Sequence, residues 1–244
     1  MRQLKLSVII PAYNEAGRIG PTLSRVVEYL SGKGFEWELV VVDDGSTDAT
    51  RDLVREAAQR DARVRPIENG TNRGKGYSVR NGFLNTSGEY ALFSDADLST
   101  PIEELDGFLL DADGGADIVI GSRAMRDSKI LKRQPVYRMV MGKTFNRLVR
   151  ALTVRGISDT QCGFRLFRRS VCEPLFLGQK IDHFSFDAEL LFLAQKKGLK
   201  IVERPVRWIN SPQSKVDPVW DSLRMLLDIL KVRWSYLTGG YQGF

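Results

Sequence analysis

Tyr90-Ala91-Leu92-Phe93-Ser94-Asp95-Ala96-Asp97 is the stretch that decides the fold. An apolar run that reads as a buried strand ends in two carboxylates separated by one residue. Such a pair is a cluster of hard oxygens, suited to a Mg²⁺ or Mn²⁺ ion shared with a diphosphate. An isolated Asp-x-Asp also occurs in loops that only cap the next helix. Its weight changes on working outward. Glu15 follows the run Leu6 to Ile10, and Asp43-Asp44 follow Leu39 to Val42. In a parallel α/β sheet, ligands bind beyond the carboxyl ends of the strands, so three acidic strand ends would face one crevice.

The rest of the first half alternates in the same way. Ala16 to Leu30 reads as an amphipathic helix, and Asp48 as the cap of a helix ending near Arg60. Val64 to Glu68 is a short strand, Lys75 to Asn85 a helix, and Asp117 to Ile120 a further strand. Ser99-Thr100-Pro101, with Glu103 and Glu104 behind it, opens the helix in between. Near-continuous apolar strands alternating with helices predict a mostly parallel sheet covered on both faces. In the second half a polar loop precedes a basic amphipathic helix from about Pro135 to Leu152. A short strand follows at 163–167, then a helix from Phe186 to Lys197, a strand from Lys200 to Val206, a loop from Asn210 to Asp217, and a final helix from Pro218 to Leu237. Residues 1–216 read as one domain with halves at 1–121 and 122–216, followed by an amphipathic helix and tail at 217–244.

Composition narrows the function. With 43% hydrophobic residues among 244, the chain has ample material for a core. Cys162 and Cys172 lack metal-ligand spacing and read as reduced buried thiols. One histidine, His183, argues against a histidine metal site or a serine-hydrolase triad. Met1-Arg2-Gln3-Leu4-Lys5 leads straight into a strand with no signal peptide, and no apolar stretch reaches the roughly 20 residues needed to span a bilayer. A cytoplasmic protein without a transmembrane helix is expected. The net charge of +6 comes from one segment: Lys129 to Arg155 holds eight basic residues and no acidic one. That run is a solvated helix face or a site for phosphates and anionic lipid; no zinc-finger or RNA-recognition signature accompanies it, so nucleic acid is not expected as a partner. The last helix carries one polar stripe on a wide apolar surface, which either packs on the domain or lies in a lipid interface. Gly70 to Gly76 is not a phosphate loop, because Gly76 replaces the Mg²⁺-binding hydroxyl residue, and the dinucleotide fingerprint of a dehydrogenase is absent.

Four motifs stand in order: Pro11-Ala12-Tyr13-Asn14-Glu15, Val42-Asp43-Asp44-Gly45-Ser46, Asn72-Arg73-Gly74-Lys75-Gly76 and Asp95-Ala96-Asp97. Together they resemble the signature of family 2 glycosyltransferases. The likeness continues through Gly121-Ser122-Arg123, Cys162-Gly163-Phe164-Arg165, Phe186-Asp187-Ala188-Glu189-Leu190 and Ser214-Lys215. It covers most of the chain and is similar to the polyprenyl-phosphate branch, the glucosyl type before the mannosyl. Lys132-Arg133, Arg138 and Trp208 favour the glucosyl type. Ile209 stands where the mannosyl type usually carries an arginine, which speaks against GDP-mannose.

The resemblance implies a GT-A (nucleotide-diphospho-sugar transferase) fold and an inverting, metal-dependent hexosyl transfer, with glucose from UDP-glucose placed on dolichyl or undecaprenyl phosphate. Pro11, Tyr13, Glu15 and Asp43 would hold the nucleoside, with Gly74, Lys75, Ala96 and Arg123 completing the donor site. Asp95 and Asp97 would hold Mg²⁺ or Mn²⁺. Arg138 and Lys215, with Asp97 and Asp187, form the expected catalytic set. Arg133, Arg138, Gln161, Arg165, Glu189 and Lys215 form the expected acceptor set. Asp187 reads either as a general base or as a residue that orients the acceptor loop, because a phosphate monoester with a second pKa near ~6 is already a nucleophile. Peripheral contact with the inner membrane face follows from a lipid acceptor, and the missing N-terminal anchor points to a shorter prokaryotic carrier. Another sugar nucleotide, a soluble hydroxyl acceptor, or a non-catalytic nucleotide-sugar-binding protein remain as alternatives.

Overall fold

The computed structural model describes residues 4–132, 152–210 and 220–241. Arg133, Arg138, Lys215 and the expected basic helix up to residue 151 lie outside the described residues. Nine strands and seven α-helices are seen among those described. The strands are β1 (Leu4–Ala12), β2 (Glu36–Asp43), β3 (Val64–Glu68), β4 (Tyr90–Ser94), β5 (Ile118–Ser122), β6 (Lys129–Lys132), β7 (Phe164–Arg168), β8 (Ile201–Pro205) and β9 (Arg207–Ile209). The helices are α1 (Ile19–Ser31), α2 (Thr50–Arg60), α3 (Lys75–Leu84), α4 (Leu105–Asp113), α5 (Arg169–Gly178), α6 (Phe186–Lys196) and α7 (Trp220–Leu237).

Seven strands form one sheet in the order β3-β2-β1-β4-β7-β5-β8, and β6 pairs with β9 in a short parallel ribbon. All pairings in the large sheet are parallel except those of β7, which runs antiparallel to both β4 and β5. The period of two along each strand divides the apolar residues between two cores. Leu6, Val8, Ile10, Leu39 and Val41 face one side with Leu23 and Val26 of α1, Val54 of α2 and Phe108 of α4. Ile9, Val40 and Val42 face the other with Val79 and Phe83 of α3, Phe176 of α5, Leu190 and Phe192 of α6, and Val232 of α7. This is the expected sheet with helices on both faces. Pro66 in β3 is tolerated because β3 lies at a sheet edge.

Three elements were not expected. Helix α5 contains Pro174, which reads as a breaker, yet Phe176 stacks on Phe83 with ring centroids 3.8 Å apart and holds the helix to the sheet. Strands β6 and β9 are four and three residues long, too short to leave a periodic signal. The direction of β7 matters most for the site. Because Phe164 pairs with Ser94, β7 begins where β4 ends, and the chain entering it passes directly beside Asp95.

Candidate active site

The carboxyl ends of β1, β2 and β4 meet at one edge of the sheet and build one side of a crevice. The turn after β1 is clasped to the turn after β2. Asn14 sits at φ 51° and accepts the Thr47 N–H at 2.8 Å, while its own N–H donates to the Ser46 hydroxyl at 2.9 Å. The Glu15 N–H donates to the Thr50 hydroxyl at 2.6 Å. Pro11 lies at the β1–β2 pairing and Tyr13 is exposed at the mouth. Asp43 is buried; its carboxylate receives the Ser46 N–H, and Arg51 approaches at 3.5 Å. Its neighbour Asp44 binds the glycine-rich loop, accepting from Asn69 at 2.8 Å and from the Arg73 and Gly74 amides at 3.0 and 2.9 Å. Asp44 was read as part of an acidic strand end but not as a site residue; its carboxylate fixes the loop that carries Lys75.

That loop delivers Lys75 to the centre. Gly74 adopts φ 102°, and a Cβ there would meet the Asp182 carbonyl and, at 2.6 Å, His183 Nδ1, so only glycine fits. Lys75 Nζ lies 2.6 Å from Asp95 Oδ1. Burial pulls the lysine pKa down, but Asp95, Asp187 and Asp97 together leave it raised, so it stays protonated. Asp97 receives the Ser99 N–H at 2.9 Å and faces Arg18 at 3.7 Å, and Arg18 is also paired with Glu15. Ala96 is buried and its carbonyl accepts the Thr22 hydroxyl at 2.7 Å. Leu98 closes the turn at φ 44°, a left-handed conformation that a branched side chain adopts only under constraint.

The donor set fits a hard divalent cation. Asp95 and Asp97 offer carboxylate oxygens at partly exposed positions, Asp95 beside Lys75 and Asp97 beside Arg18. No group of three or more His, Cys, Asp or Glu side chains that could hold a metal is found among the described residues. The arrangement therefore suits an ion that takes its remaining ligands from phosphate and water, as Mg²⁺ and Mn²⁺ do.

The second half of the crevice is held by two ion pairs, one partly and one fully buried. Arg123 grips Asp159 in a fork, Nε to Oδ2 at 2.7 Å and NH2 to Oδ1 at 2.9 Å, and its guanidinium lies 5.5 Å from the Trp208 ring. Although burial opposes ionisation, Arg123 draws the Asp159 carboxyl down to about 2. Asp159 was not among the expected residues, since its partner lies 36 positions away. Arg165 was expected at the acceptor. It is instead fully buried, donating to the Thr160 carbonyl at 2.7 Å and the Cys162 carbonyl at 3.1 Å and pairing with Asp187. Its donors are turned inward, and it holds the 160–162 loop rather than a ligand.

Asp187 opens α6 beside this arginine. Burial pushes its carboxyl up to about 6, against the pull of Arg165 and Lys75. Glu189, also expected at the acceptor, is wholly buried. It accepts the amides of Lys180 and Ile181, both at 2.9 Å, and the Tyr241 hydroxyl at 2.6 Å. Burial raises its pKa as well, while those donors oppose the rise. Gln161 is half-buried; its N–H donates to Asp159 at 3.1 Å and its side chain reaches Met225 Sδ of α7 at 3.5 Å. The structure thus brings together Glu15, Asp43, Lys75, Asp95, Asp97, Arg123 and Asp187 around one crevice. Both cysteines are buried and unbridged, and burial pushes the Cys162 thiol up to about 11.

A mostly parallel sheet with one antiparallel strand beside a paired-carboxylate turn defines a GT-A fold. Solved structures share it. Glucosyl-3-phosphoglycerate synthase from Mycobacterium tuberculosis, in complex with Mn²⁺, UDP and glucosyl-3-phosphoglycerate, superposes with a TM-score of 0.67 at 19% identity, covering 95% of this chain and 79% of that one. A mannosyltransferase from Pyrobaculum calidifontis, in complex with GDP-Man and Mn²⁺, gives 0.57 at 22% identity, covering 87% of this chain and 58% of that one. The chain belongs to glycosyltransferase family 2: the family model described as "Glycosyl transferase family 2" matches residues 7–176. It is 37% identical to a dolichyl-phosphate beta-glucosyltransferase of Dictyostelium discoideum, over 96% of this chain and 75% of the relative. The Homo sapiens protein of the same description is 36% identical, over 98% and 78%.

Proposed function

We propose that this glycosyltransferase moves glucose from UDP-glucose, with inversion, onto a polyprenyl phosphate of the dolichyl or undecaprenyl type. The observation that carries this reading is the likeness to dolichyl-phosphate beta-glucosyltransferases over nearly the whole chain, with the Asp95, Asp97 and Lys75 cluster at its centre. Pro11, Tyr13, Glu15 and Asp43 hold the nucleoside, and a carboxylate at Asp43 suits the N3–H of uracil. Asp95 and Asp97 would hold Mg²⁺ or Mn²⁺, which would supply positive charge to the departing diphosphate. Lys75, Arg18 and Arg123 add positive charge around the same oxygens.

One oxygen of the acceptor phosphate forms a bond to the anomeric carbon on the face opposite the diphosphate. The bond from that carbon to the diphosphate breaks, and UDP departs with the electron pair. The acceptor is largely dianionic at neutral pH, so no proton has to be removed as it attacks. Asp187 therefore acts by fixing Arg165 and the 160–162 loop, and not as a base. A lipid acceptor keeps its chain in the bilayer, so the enzyme works at a membrane surface. No described helix is long and apolar enough to cross one.

The test is transfer from a panel of sugar nucleotides to a short polyprenyl phosphate with Mn²⁺ or Mg²⁺. The expected result is glycolipid from UDP-glucose, abolished by Asp97→Ala. Transfer from GDP-mannose alone overturns the donor assignment. UDP-glucose binding with no glycosylated lipid overturns the acceptor.

A further inference from the structure

At the far end of α6 from Asp187 lies a cavity of about 320 Å³ lined by Thr153, Arg155, Phe192, Gln195, Lys196 and Arg233. Eight residues of helix separate Asp187 from Gln195, roughly 12 Å, so this cavity is distinct from the crevice. Among the described residues its lining contains three cationic side chains and no carboxylate. No ion pair is recorded for Arg155, Lys196 or Arg233 among the described residues, although most other arginines of the domain are paired. The walls are built. Gln195 clasps the Arg155 backbone in both directions, accepting its N–H at 3.1 Å and donating to its carbonyl at 2.6 Å. Phe192 and Tyr236 meet edge to face at 5.2 Å, and Lys196 stands 5.0 Å from the Tyr236 ring.

An apolar row adjoins this cavity. Met225, Ile229 and Val232 of α7 are buried against the domain, whereas Leu223, Leu227, Leu230, Trp234 and Leu237 are exposed at alternating spacings of four and three. Arg233 lies three residues after Leu230 and four before Leu237, so the cation of the cavity and the outer apolar residues share one helix face. An apolar ridge beside cations that make no ion pair among the described residues matches a surface that is apolar inside and anionic at its rim.

We propose that this cavity binds the phosphate of an anionic lipid headgroup, with the Leu230–Trp234–Leu237 ridge entering the bilayer beside it. The site deepens the polyprenyl-phosphate reading, on which the bilayer as occupant rests, and it lies about 12 Å along α6 from Asp187. It would hold the crevice at headgroup level while the acceptor is exchanged.

The test is co-sedimentation of the full chain with vesicles of phosphatidylcholine, with and without phosphatidylglycerol. Binding is expected only with the anionic lipid. Each of Arg155→Gln, Lys196→Gln and Arg233→Gln should weaken it about fivefold, and the triple variant about a hundredfold. The triple variant should keep its transfer rate to a short acceptor dispersed in detergent. Asp97→Ala should bind vesicles like the parent, so failure of the catalytic reading and failure of this one give different results. Equal binding to both vesicle types, or by the triple variant, overturns the proposal. So does saturation by inorganic phosphate without vesicle binding. A lipid-free dimer that Leu230→Ser with Trp234→Ser dissociates overturns it too, since a second copy then covers the ridge.

Discussion

Gly163→Ala isolates what the antiparallel strand does for the site. Gly163 lies outside the left-handed region, so alanine fits its backbone, and the three atoms nearest an added Cβ all belong to the Asp95 carboxylate. The main chain cannot yield, because the Asp95 N–H donates to the Gly163 carbonyl at 3.1 Å. The carboxylate must rotate away, which breaks its pair with Lys75. Both side chains of that pair are about 30% exposed (27% and 32%), so the folding cost is at most about 1 kcal/mol. For a chain of this length that lowers Tm by roughly 2–4 °C. The catalytic cost is larger, since a displacement of about 1 Å at a reacting centre lowers rate about 100-fold. Gly74→Ala is the contrast: at φ 102° against the Asp182 backbone, nothing flexible can move, so it should destabilise by several kcal/mol. Melting curves and initial rates of sugar transfer, titrated with Mn²⁺, measure both effects. Wild-type turnover and metal response in Gly163→Ala would refute the placement of Asp95 at the reacting centre.

Three further outcomes are expected. Asp187→Asn should lower kcat about 10-fold, well short of the loss of up to about 10⁴-fold that follows removal of a general base, as read from kcat at saturating acceptor. Because the Asp187 pKa is raised to about 6, its contribution to stability is full below pH 3.8 and lost as pH rises through 6; denaturant unfolding should show the Asn variant lacking about 3 kcal/mol of that slope. Asp159, drawn down to about 2, acts in the opposite sense: its contribution is present above pH 3.8 and lost as pH falls through 2. Asp159→Asn should cost about 2 kcal/mol in urea unfolding at pH 7, discounted because Arg123 is partly exposed. Tyr241→Phe removes a donor from buried Glu189 and should cost about 1–3 kcal/mol and raise the Glu189 pKa further, measured by melting and by carboxyl NMR titration.

The donor half was legible because its residues follow strands whose apolar runs announce themselves. Asp43 ends β2 and Asp95 stands directly after β4, so order along the chain becomes position around the crevice. The acceptor half has no such rule. Asp159 meets Arg123 across 36 positions and Arg165 meets Asp187 across 22, and neither spacing corresponds to a period of helix or strand. An arginine in a Cys-Gly-Phe-Arg motif reads as a ligand for phosphate until burial shows that its donors are already used. The direction of β7 was equally hidden: Phe164, Leu166 and Phe167 would be apolar in either sense, and the choice is made by pairing with β4 and β5 together.

The first turn of α6 joins the two halves. Asp187 and Glu189 are two residues apart on the helix and therefore point in different directions. Asp187 faces Arg165 and the loop at 160–162, while Glu189 faces the amides of Lys180 and Ile181. The latter loop packs on the start of α3, where Gln179 donates to the Gly76 carbonyl at 2.9 Å and the Tyr77 N–H donates to Asp182 at 3.0 Å. Lys75 is thus positioned from two sides, by Asp44 through Gly74 and by Glu189 through residues 179–182. Tyr241, just beyond α7, bonds the same glutamate. A displacement of α7 therefore reaches the lysine beside Asp95 through one buried carboxylate. The helix carrying the exposed apolar ridge and Lys75 are coupled by three hydrogen-bonded steps, so docking of α7 at a membrane, as proposed above, would bear on the geometry of the crevice.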